Sequence, residues 1–429
     1  MRTKINEIKN NCDVEISGFV DKIRDQKSMQ FIIIRDLYGA VQITVDKTAK
    51  QNLLPTTEQL TVNSFVTIKG KAVENPYVKL GGKEIIPDEI KIDSIAETLP
   101  IDEESNIDQK LDYRWVDLRQ PKNSLMMKVQ TLFTRTVREF LFEQDFVEFH
   151  SPKIISQPSE SGSDLFTLDY FGDKAYLTQS PQFYKQMAIA SGLEKVFETG
   201  PVFRAEKSFT SRHATEFTGI DIEMANIYDV EEIMQFEEQM IAGALNAVKE
   251  KYGEEIEKIF GIEFNVPTLP FPRIKMKDAV EILQDLDFDI EFGEDFSTEQ
   301  EKALGEYLIK KNKHEFYFIT DYPAEIRAFY HMRDEKNPLI AKGYDLYWKG
   351  IEITTGAIRE HRYDKLVAQT IERGNSTEKL QFYLDFFKYG CPAHGGFGIG
   401  LDRITMLLLG IASIKEAMFV FRGPTRIKP

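Results

Sequence analysis

The sequence has few of the residues that build covalent or metal-stabilised folds. Only two of its 429 residues are cysteine, Cys12 and Cys391, and they lie almost a full chain length apart. This argues against a disulfide framework and predicts free thiols in a reducing compartment. The six histidines show no zinc-ligand spacing and no HExxH pattern. No GxSxG or cysteine–histidine signature occurs either, so neither catalytic zinc nor covalent catalysis is supported.

Long apolar runs are also missing. No window approaches about 18 consecutive apolar residues, which excludes a membrane-spanning helix on sequence grounds. The N-terminal stretch MRTKINEIKNNCDVEI has no apolar segment behind its positive charges, so it is not expected to be a signal peptide. With 42% hydrophobic and 29% charged residues, the composition is that of a globular protein with two or three domains. A cytoplasmic location is expected.

Positive charge is scarce relative to negative charge. The chain has 54 Lys and Arg against 69 Asp and Glu, for a net charge of −15. An acidic average argues against a nucleic-acid partner, because neutralisation of phosphates dominates such binding. In a chain of this size, however, a local basic face can bind RNA while the rest of the surface is acidic. Net charge therefore leaves RNA binding open.

The N-terminal region has the pattern of a small β domain. Five segments alternate with period two, with glycines within or between them: VEISGFV, MQFIIIRD, AVQITV, SFVTIKG and KEIIPDEIKI. Five short strands in so short a region suit a closed barrel such as an OB-fold, and a three-stranded domain with additions is the alternative. The polar, acidic segment LPIDEESNIDQKLD that follows is typical of a linker.

The pattern changes to mixed helix and strand after Tyr113. A helix is predicted over 126–144, because Phe133, Val137 and Phe140 follow helical spacing. Strands that are close in sequence favour an antiparallel sheet over repeated βαβ units, so the predicted fold is multidomain α+β. Further strands are predicted near 194–204, 215–226, 342–348 and 350–358, and helices near 229–250, 297–312, 376–388 and 401–410. The predicted divisions are a barrel at 1–96, a linker at 97–118 and a larger domain at 119–429 with an insertion at about 246–340.

One segment has the composition of a hairpin whose loop carries phosphate ligands. In VFETGPVFRAEKSFTSRHATEFTGIDIEM, strand-like ends flank a polar centre. Arg204, Arg212 and His213 can donate to phosphate oxygens. Glu206 could accept from an amino group, and Phe217 could stack on a base. A solvated hairpin with surface charges is the competing interpretation.

The segment GGFGIGLDRITMLLLG is rich in glycine and then becomes helical. It does not fit a dinucleotide-binding turn, because Arg403 stands at the third glycine position and no βαβ unit precedes it. It also lacks the Gly-Lys-Ser/Thr of a phosphate-binding Walker loop. The segment therefore indicates a strand-to-helix turn that delivers one arginine, or else a site of close backbone packing.

The segment GIEITTGAIREH suggests a magnesium site. A regular strand would place Glu352, Thr354 and Gly356 on one face and Thr355 on the other. Asp345 precedes them, across a predicted hairpin. Carboxylates with nearby hydroxyls suit Mg²⁺, which prefers hard oxygen ligands and shares them with substrate phosphates. Ordinary cross-strand polar residues are the alternative.

Taken together and in this order, these segments resemble the three motifs of class II aminoacyl-tRNA synthetases. DFVEFHSPKII, with Pro152, resembles motif 1, the dimerisation segment. FRAE…SRHATEF resembles motif 2, and GGFGIGLDR resembles motif 3. A preceding OB-fold is the arrangement of the subgroup for aspartate, asparagine and lysine. DYRWVDLR, LPFPRIK, TTGAIREHRYD and PAHGGFGIG are most similar to the archaeal and eukaryotic type of aspartyl-tRNA synthetases, and the resemblance covers essentially the whole chain.

The resemblance implies a site for aspartate. QSPQFYKQ resembles the family's QxxK element, with Gln182 and Lys185. In the family this lysine meets the substrate's side-chain carboxylate, together with the arginine that matches Arg359. Two cations aimed at one point favour aspartate, because neutral asparagine would leave buried charge unpaired. Asparaginyl enzymes lack that lysine. Asp221 and Glu160 match positions that hold the substrate's ammonium group.

The resemblance also implies an ATP site with Mg²⁺. The aspartate α-carboxylate attacks the α-phosphate, and a carboxylate needs no base at neutral pH, so catalysis reduces to orientation and charge stabilisation. The terminal 3′-hydroxyl of tRNA(Asp) then attacks the aspartyl-adenylate. The implied roles are Arg204 between α-phosphate and carboxylate, Arg212, His213 and Arg403 on phosphates, Glu206 and Phe217 around adenine, and Glu352 and Thr355 on Mg²⁺ with Asp345 nearby.

In the barrel, Phe31, Gln42 and Glu84 match family positions that bind the anticodon. An unpaired base stacked on an aromatic ring, with its edge bound by polar groups, is a common mode of RNA recognition. A core position is the alternative for Phe31, because FIII is an apolar run. A homodimer through motif 1 is likewise implied by the resemblance.

Four residues depart from the family pattern. Asp145 stands where motif 1 usually has Gly, and Ile358 replaces a polar residue. Asp21 stands where discriminating archaeal enzymes often carry Trp, and Tyr77 replaces a basic residue. We therefore hypothesise relaxed recognition of the first anticodon base, so that tRNA(Asn) is also charged with aspartate. The competing functions are an asparaginyl-type enzyme and a non-catalytic paralogue that binds RNA or a small molecule.

Overall fold

The computed structural model describes residues 2–159 and 165–429. The chain divides into two compact units, Met1–Asn106 and Ile107–Pro429, and the division falls within the predicted linker. Within the described ranges, no helix combines the length and apolar character needed to cross a membrane.

The first unit is a closed five-stranded barrel with the strand order β1-β2-β3-β5-β4. The prediction of an OB-fold is confirmed, and the three-stranded alternative is wrong. All neighbouring strands are antiparallel except β3 and β5, whose parallel pairing closes the barrel. Its elements are β1 (Cys12–Asp25), β2 (Met29–Arg35), β3 (Ala40–Asp46), α1 (Leu54–Thr57), β4 (Phe65–Glu74) and β5 (Lys83–Ser94), with 3-10 turns at Ile5–Glu7 and Gln51–Leu53.

The second unit is built on an eight-stranded sheet with the order β12-β13-β14-β15-β16-β11-β10-β6. The prediction of an antiparallel sheet flanked by helices is confirmed, although the pairs β6–β10 and β12–β13 are parallel. The elements up to the middle of this unit are α2 (Ile107–Asp112), α3 (Arg114–Asp117), α4 (Pro121–Glu143), β6 (Val147–Glu148), β7 (Ile154–Ile155), β8 (Thr167–Tyr170), β9 (Asp173–Leu177), α5 (Gln182–Ala190), β10 (Lys195–Phe203), β11 (Glu216–Ala225) and α6 (Val230–Phe260).

The C-terminal half of the unit adds the remaining strands of the large sheet. Its elements are β12 (Arg273–Lys275), α7 (Met276–Asp285), α8 (Thr298–Asn312), β13 (Phe316–Thr320), a 3-10 turn at Ala324–Ile326, β14 (Gly343–Trp348), β15 (Ile351–Ile358), α9 (Tyr363–Glu372), α10 (Gln381–Lys388), β16 (His394–Gly400), α11 (Leu401–Leu408) and α12 (Ile414–Ala417). Strands β7, β9 and β8 form a separate small sheet. Helices α4 and α6 pack on each other and bury their apolar faces in the main core with the central strands.

The ends of α6 follow local sequence signals. Asp229 caps its N-terminus and forms a capping box with Glu232. The helix ends where Gly261 adopts a left-handed conformation with φ 69°. It therefore extends ten residues beyond the predicted end near residue 250. It passes through Gly253, which does not adopt a left-handed conformation, and stops only at Gly261.

The segment predicted as an insertion extends one edge of the main sheet. Strands β12 and β13 join that edge, and helices α7 and α8 cover them. Apolar residues of these elements, among them Leu283, Leu304 and Tyr317, form a hydrophobic cluster of their own. Helix α8 therefore packs in a hydrophobic cluster that is separate from the main core.

Candidate active site

A cavity of about 420 Å³ opens over the central strands of the large sheet, and most of the predicted site residues line it. Glu160 lies outside the described residues, and Asp345 is buried next to Thr355 without lining the cavity itself. The predicted residues that line the cavity are Gln182, Lys185, Arg204, Glu206, Arg212, His213, Phe217, Asp221, Glu352, Thr355, Arg359 and Arg403.

Lys185 and Arg359 meet on one buried carboxylate. The Nζ atom of Lys185 lies 3.2 Å from Oδ1 of Asp221 and 3.2 Å from Oε2 of Glu223. Arg359 donates from Nε to the other oxygen of Glu223, Oε1, at 2.9 Å. Glu223 was not among the site residues predicted from the sequence. The period-two alternation of β11 was a usable signal, because it places Glu223 on the same face as Asp221.

The charges of this cluster are two cations, Lys185 and Arg359, and two carboxylates, Asp221 and Glu223. Burial alone would raise the pKa of Glu223, but Arg359 and Lys185 outweigh it and lower that pKa, so the glutamate is ionised. Lys185 and Arg359 are thus balanced by Glu223 and Asp221 before a ligand binds. If the ammonium group of a ligand takes Asp221 as its partner, Lys185 and Arg359 are left with Glu223 alone, and one positive charge remains for a ligand carboxylate. Asp221 lies beside them at the cavity wall, where a carboxylate suits an ammonium group. The arrangement can therefore hold an amino acid with an acidic side chain.

His331 lies behind Arg359, with Nε2 3.4 Å from Nη1 of the arginine. Burial, and then the charge of Arg359, lower the pKa of His331 well below its usual value. His331 is therefore neutral and adds no charge to the cluster.

A buried hydrogen-bond network fixes the amide of Gln182. Its Nε2 donates to Oε1 of Gln186 at 2.9 Å, and the same oxygen accepts from the hydroxyl of Tyr383 at 2.9 Å. The Nε2 atoms of Gln186 and His394 are 3.0 Å apart. Burial lowers the pKa of His394 to about 4, so its neutral ring can accept from Gln186 while Nδ1 donates to the carbonyl of Pro392. The network holds Gln182 in one orientation at the cavity.

The hairpin of β10 and β11 brings Arg204 and Phe217 together. The guanidinium carbon of Arg204 lies 5.5 Å from the centre of the Phe217 ring, within the range of a cation–π contact. The Nε of Arg204 is buried and has no hydrogen-bond partner among the described residues. His213 lies in the same loop, and burial and the charge of Arg403 lower its pKa. The loop therefore presents partly buried donors to the cavity rather than a solvated set of surface charges.

The glycine run in β16 is both a site of close backbone packing and a strand-to-helix turn that delivers an arginine, the two interpretations drawn from the sequence. A Cβ on Gly396 would lie 2.0 Å from the backbone oxygen of Ile222, so close backbone packing is required there. Helix α11 begins directly after the strand and places Arg403 in its first turn. Nη1 of Arg403 donates to the main-chain oxygen of Glu352 at 2.5 Å. The turn thus delivers an arginine to the cavity next to the proposed metal ligand.

A bulge in β15 changes the predicted faces of this strand. The prediction that Glu352 and Thr355 lie on opposite faces is wrong, because the register shifts between the pairs Leu346–Thr354 and Tyr347–Glu352. Ile353 is the extra residue of this irregularity. The hydroxyl of Thr355 consequently lies 3.4 Å from Oε1 of Glu352, and both residues line the cavity.

The carboxylate of Glu352 and the hydroxyl of Thr355 form a set of oxygen donors that fits Mg²⁺. Burial, followed by the neighbouring charge of Asp345, raises the pKa of Glu352 to about 7, so a cation there would relieve the cost of its charge. The carboxylate of Asp345 is held by the guanidinium of Arg327. Within residues 2–159 and 165–429, no group of three or more His, Cys, Asp and Glu side chains is placed to hold a metal. Mg²⁺ commonly uses one or two carboxylates and completes its shell with substrate phosphates.

Two of the predicted anticodon residues, Phe31 and Gln42, are partly exposed on the barrel, and Glu84 is buried beside Gln42. Ile32 and Ile34 point into the core and are fully buried, while Phe31 is half-buried on the other face of β2, so the core alternative for Phe31 is wrong. Gln42 donates from Nε2 to Oε2 of Glu84 at 3.0 Å. Asn75 donates to the other oxygen of Glu84 at 2.9 Å. An aromatic ring and an ordered polar cluster thus lie on neighbouring strands.

Three of the departures from the family pattern have a structural setting. Asp145 has φ 63°, the left-handed region where glycine is usual and where aspartate is among the better tolerated residues. Asp21 occupies an irregularity of β1 and forms an ion pair with Arg35. Tyr77 is 92% exposed in the loop between β4 and β5.

The segment around Pro152 is anchored to the main sheet. Glu198 accepts from the backbone nitrogen of Ser151 at 2.9 Å and from its hydroxyl at 2.6 Å. Lys153 adds an ion pair to the same carboxylate at 2.9 Å. Pro152 itself is exposed. Exposed apolar side chains flank this segment in sequence: Phe142, Val147 and Ile154.

Comparison with known proteins finds relatives over the whole chain. The model of the class II tRNA synthetases (D, K and N) matches residues 106–421, and that of the OB-fold nucleic acid binding domain matches residues 14–93. The aspartate–tRNA(Asp) ligase of Pyrococcus abyssi is 42% identical, with 100% of this chain and 98% of that protein covered. The aspartate–tRNA(Asp/Asn) ligase of Methanocaldococcus jannaschii is 40% identical, with 97% and 95% covered.

Solved structures show the same similarity. The asparaginyl-tRNA synthetase of Pyrococcus horikoshii complexed with asparaginyl-adenylate matches with a TM-score of 0.94 and 32% identity, covering 100% of both chains. The aspartyl tRNA synthetase of Entamoeba histolytica matches with a TM-score of 0.88 and 32% identity, covering 100% of this chain and 93% of that one.

Proposed function

This chain belongs to the class II tRNA synthetases of the aspartate, lysine and asparagine group, and we propose that its cavity activates L-aspartate with ATP and transfers it to the 3′ end of tRNA(Asp). It is an aspartate–tRNA ligase. The observation that carries the choice of amino acid is the convergence of Lys185 and Arg359 on Glu223. Once Asp221 pairs with the ammonium group of the ligand, the net positive charge of Lys185, Arg359 and Glu223 matches the side-chain carboxylate of aspartate. Neutral asparagine would leave that buried charge uncompensated, which is costly.

The chemistry proposed for the cavity is in-line displacement at the α-phosphate. The α-carboxylate of aspartate attacks, and pyrophosphate leaves with the electron pair of the broken P–O bond. Asp221 and Glu160 hold the ammonium group, and Gln182 helps to orient the amino acid. Arg204 bridges the attacking carboxylate and the α-phosphate, where its unpaired buried Nε is a ready donor. In the second step, the terminal 3′-hydroxyl of the tRNA attacks the adenylate carbonyl, and AMP leaves.

The remaining cavity residues are assigned to ATP. Arg403, Arg212 and His213 contact its phosphates, and Phe217 and Glu206 enclose adenine. Mg²⁺ would be held by Glu352 and Thr355, with Asp345 behind them, and would neutralise charge on the phosphates. This division separates the ATP side of the cavity from the Lys185 side.

ATP–pyrophosphate exchange with L-aspartate and L-asparagine tests the proposal. Exchange that depends on aspartate, at least about 100-fold faster at equal concentration, is expected from the cost of leaving a buried charge unpaired. Exchange that instead depends on asparagine would make the chain an asparaginyl-type enzyme, whose solved relatives share this fold. No exchange with either amino acid would support a non-catalytic paralogue.

The barrel is assigned to the anticodon, with Phe31 stacking on a base and Gln42 and Glu84 contacting base edges. We also propose that the chain charges tRNA(Asn) with aspartate, on the grounds that Asp21 and Tyr77 stand where discriminating enzymes carry Trp and a basic residue. Some relatives of this chain are named for tRNA(Asp) alone, and others are named for tRNA(Asp/Asn). Charging of a tRNA(Asn) transcript at less than about one-hundredth of the rate for tRNA(Asp) would overturn this part, since a single mismatched contact costs about 1–3 kcal/mol.

A homodimer and a cytoplasmic location complete the proposal. The exposed Pro152 and the apolar side chains near it in sequence, Phe142, Val147 and Ile154, supply a surface for isologous contact. Light scattering of the purified chain is expected to give twice the mass of 49.5 kDa. A mass of one chain at micromolar concentration would contradict the dimer.

A further inference from the structure

The first turn of α8 reaches the phosphate end of the cavity and holds Arg212 at two points. Helix α8 begins at Thr298, after a capping box formed by Ser297 and Gln300. The Nη1 atom of Arg212 forms an ion pair with Oε2 of Glu301, and Nη2 donates to the hydroxyl of Thr298 at 2.9 Å. Glu301 is buried and lines the same cavity as Arg212. Neither α8 residue was among the site residues predicted from the sequence.

Close backbone packing fixes the position of α8 relative to the cavity. A Cβ on Gly305 would lie 2.5 Å from the Cα of Gly350, so the helix backbone rests directly on the turn that precedes β15. Gly350 has φ +76°, and a Cβ there would lie 3.2 Å from the backbone oxygen of Glu301. Two residues after that turn comes Glu352, the proposed magnesium ligand. These glycine contacts therefore fix the position of the first turn of α8 relative to the end of the cavity where Glu352 lies.

Arg212 needs an anchor because the cavity concentrates positive charge. Arg204, Arg212 and Arg403 are close enough to affect one another electrostatically, and all three influence His213. Before ATP binds, mutual repulsion among these guanidinium groups favours rotation of the Arg212 side chain towards solvent. Arg403 is held by the main-chain oxygen of Glu352. The carboxylate of Glu301 provides the corresponding restraint for Arg212, whose side chain is only 16% exposed.

We propose that Glu301 is a positioning residue for ATP binding, which acts by holding the guanidinium of Arg212 towards the terminal phosphates. The proposal rests on the assignment of the cavity to ATP. A guanidinium has five N–H donors, and the contacts to Glu301 and Thr298 use one donor on each terminal nitrogen. The other donors remain for phosphate oxygens, so the anchor and the ligand are held at the same time. The conformational entropy of the Arg212 side chain is therefore lost before ATP binds rather than on binding, and this preorganisation favours affinity for ATP.

The substitution Glu301→Gln tests this inference, because glutamine keeps the shape and removes the charge. We expect the KM for ATP in pyrophosphate exchange to rise about tenfold, as when a charge-assisted contact becomes a neutral one. The KM for aspartate is expected to stay within about twofold, since Lys185 and Arg359 lie on the other side of the cavity. Glu299→Gln is the matched control, since Glu299 is exposed in the same turn of α8.

A double-mutant cycle with Arg212→Ala separates positioning from a general structural role. If Glu301 acts through Arg212, Glu301→Gln adds no further rise in the KM for ATP when Arg212 is already alanine. A penalty of the same size in both backgrounds, or a lower KM for ATP in the single variant, would overturn the inference. A wild-type chain with no exchange activity would instead refute the proposed function, so the two failures are distinguishable.

Thr298→Val provides a second variant if the buried Glu301 substitution impairs folding. Thr298 is exposed, and only its hydroxyl reaches Arg212. Loss of this neutral hydrogen bond is expected to raise the KM for ATP about threefold, again only when Arg212 is present. An unchanged KM for ATP in this variant would count against the two-point anchor.

Discussion

The Nζ atom of Lys185 lies 3.2 Å from Oε2 of Glu223, and neither side chain has more than 1% exposure to solvent. Arg359 contacts the same carboxylate, so a buried anion already joins the two cations proposed for the substrate. A ligand carboxylate therefore enters a site whose donors are held in place rather than one with two unneutralised charges. Such preorganisation favours both affinity and discrimination.

Replacement of Lys185 by methionine tests the cation assignment. Methionine keeps the apolar stem and removes the charge, so the KM for aspartate in pyrophosphate exchange is expected to rise at least about 100-fold, as when one partner of a buried ion pair is lost. The KM for ATP should change little. Lys174→Met, at an exposed position of β9, is the matched control. A wild-type KM for aspartate in Lys185→Met would contradict the assignment.

Replacement of Glu223 by glutamine tests the role of the buried anion. Without its charge, Lys185 and Arg359 are buried with an excess of positive charge, and a loss of about 3 kcal/mol of stability is expected. Aspartate should stabilise this variant more than it stabilises the wild type, because the ligand carboxylate supplies the missing anion. Thermal unfolding with and without aspartate measures both effects. An unchanged melting temperature in the absence of ligand would contradict this view of Glu223.

Arg204→Ala is expected to abolish adenylate formation without unfolding the chain. The guanidinium lies beside Phe217 at the cavity, and its proposed work is to stabilise charge that develops at the α-phosphate. Loss of one such donor typically lowers kcat by about 10²–10³-fold. The measurement is pyrophosphate exchange, with circular dichroism and the melting temperature as checks of folding. Exchange at the wild-type rate would remove Arg204 from the reaction.

The sequence predicted the barrel, the main sheet and most of the charged residues of the cavity because these depend on local alternation and on motif order. It failed where neighbouring strands decide the outcome. Glu352 and Thr355 were expected on opposite faces, and only the pairing of β14 with β15 creates the irregularity at Ile353 that brings both to the cavity. No single-strand pattern encodes that bulge, because a bulge is a property of two strands.

Long-range partners were also beyond the reach of sequence patterns. Glu301 lies 89 residues from Arg212 in the chain, and its segment has the ordinary composition of a capped surface helix. Asp345 was expected near the metal, and no sequence pattern indicated that Arg327, 18 residues away, binds its carboxylate. Glu223 alone had a readable signal, since it repeats the position of Asp221 two residues later in β11. Local periodicity identifies faces, but it does not identify the side chain that each face will meet.

Glu237 is a buried acid of α6 that the proposed mechanism does not use. Its Oε2 lies 2.6 Å from the hydroxyl of Tyr344, and its Oε1 has no hydrogen-bond partner among the described residues. Tyr344 in turn fills the space beside Gly356, where a Cβ would lie 2.4 Å from its hydroxyl oxygen. Burial raises the pKa of Glu237 from 4.5 to about 8. The carboxyl is therefore protonated in the folded chain at neutral pH.

This protonation predicts a stability that falls as pH rises. Because the folded pKa of Glu237 is above its unfolded value of 4.5, the folded state binds an extra proton between these values. The contribution of Glu237 to the free energy of unfolding is fully present below its unfolded pKa of 4.5. It declines as the pH rises to about 8, by at most about 1.4 kcal/mol per pH unit. Glu237→Gln, which cannot ionise, should show a weaker decline when melting temperatures are compared from about pH 5 to about pH 8. Glu254→Gln, exposed on the same helix, is the control. Parallel pH profiles for wild type and Glu237→Gln would show that Glu237 is ionised in the folded chain.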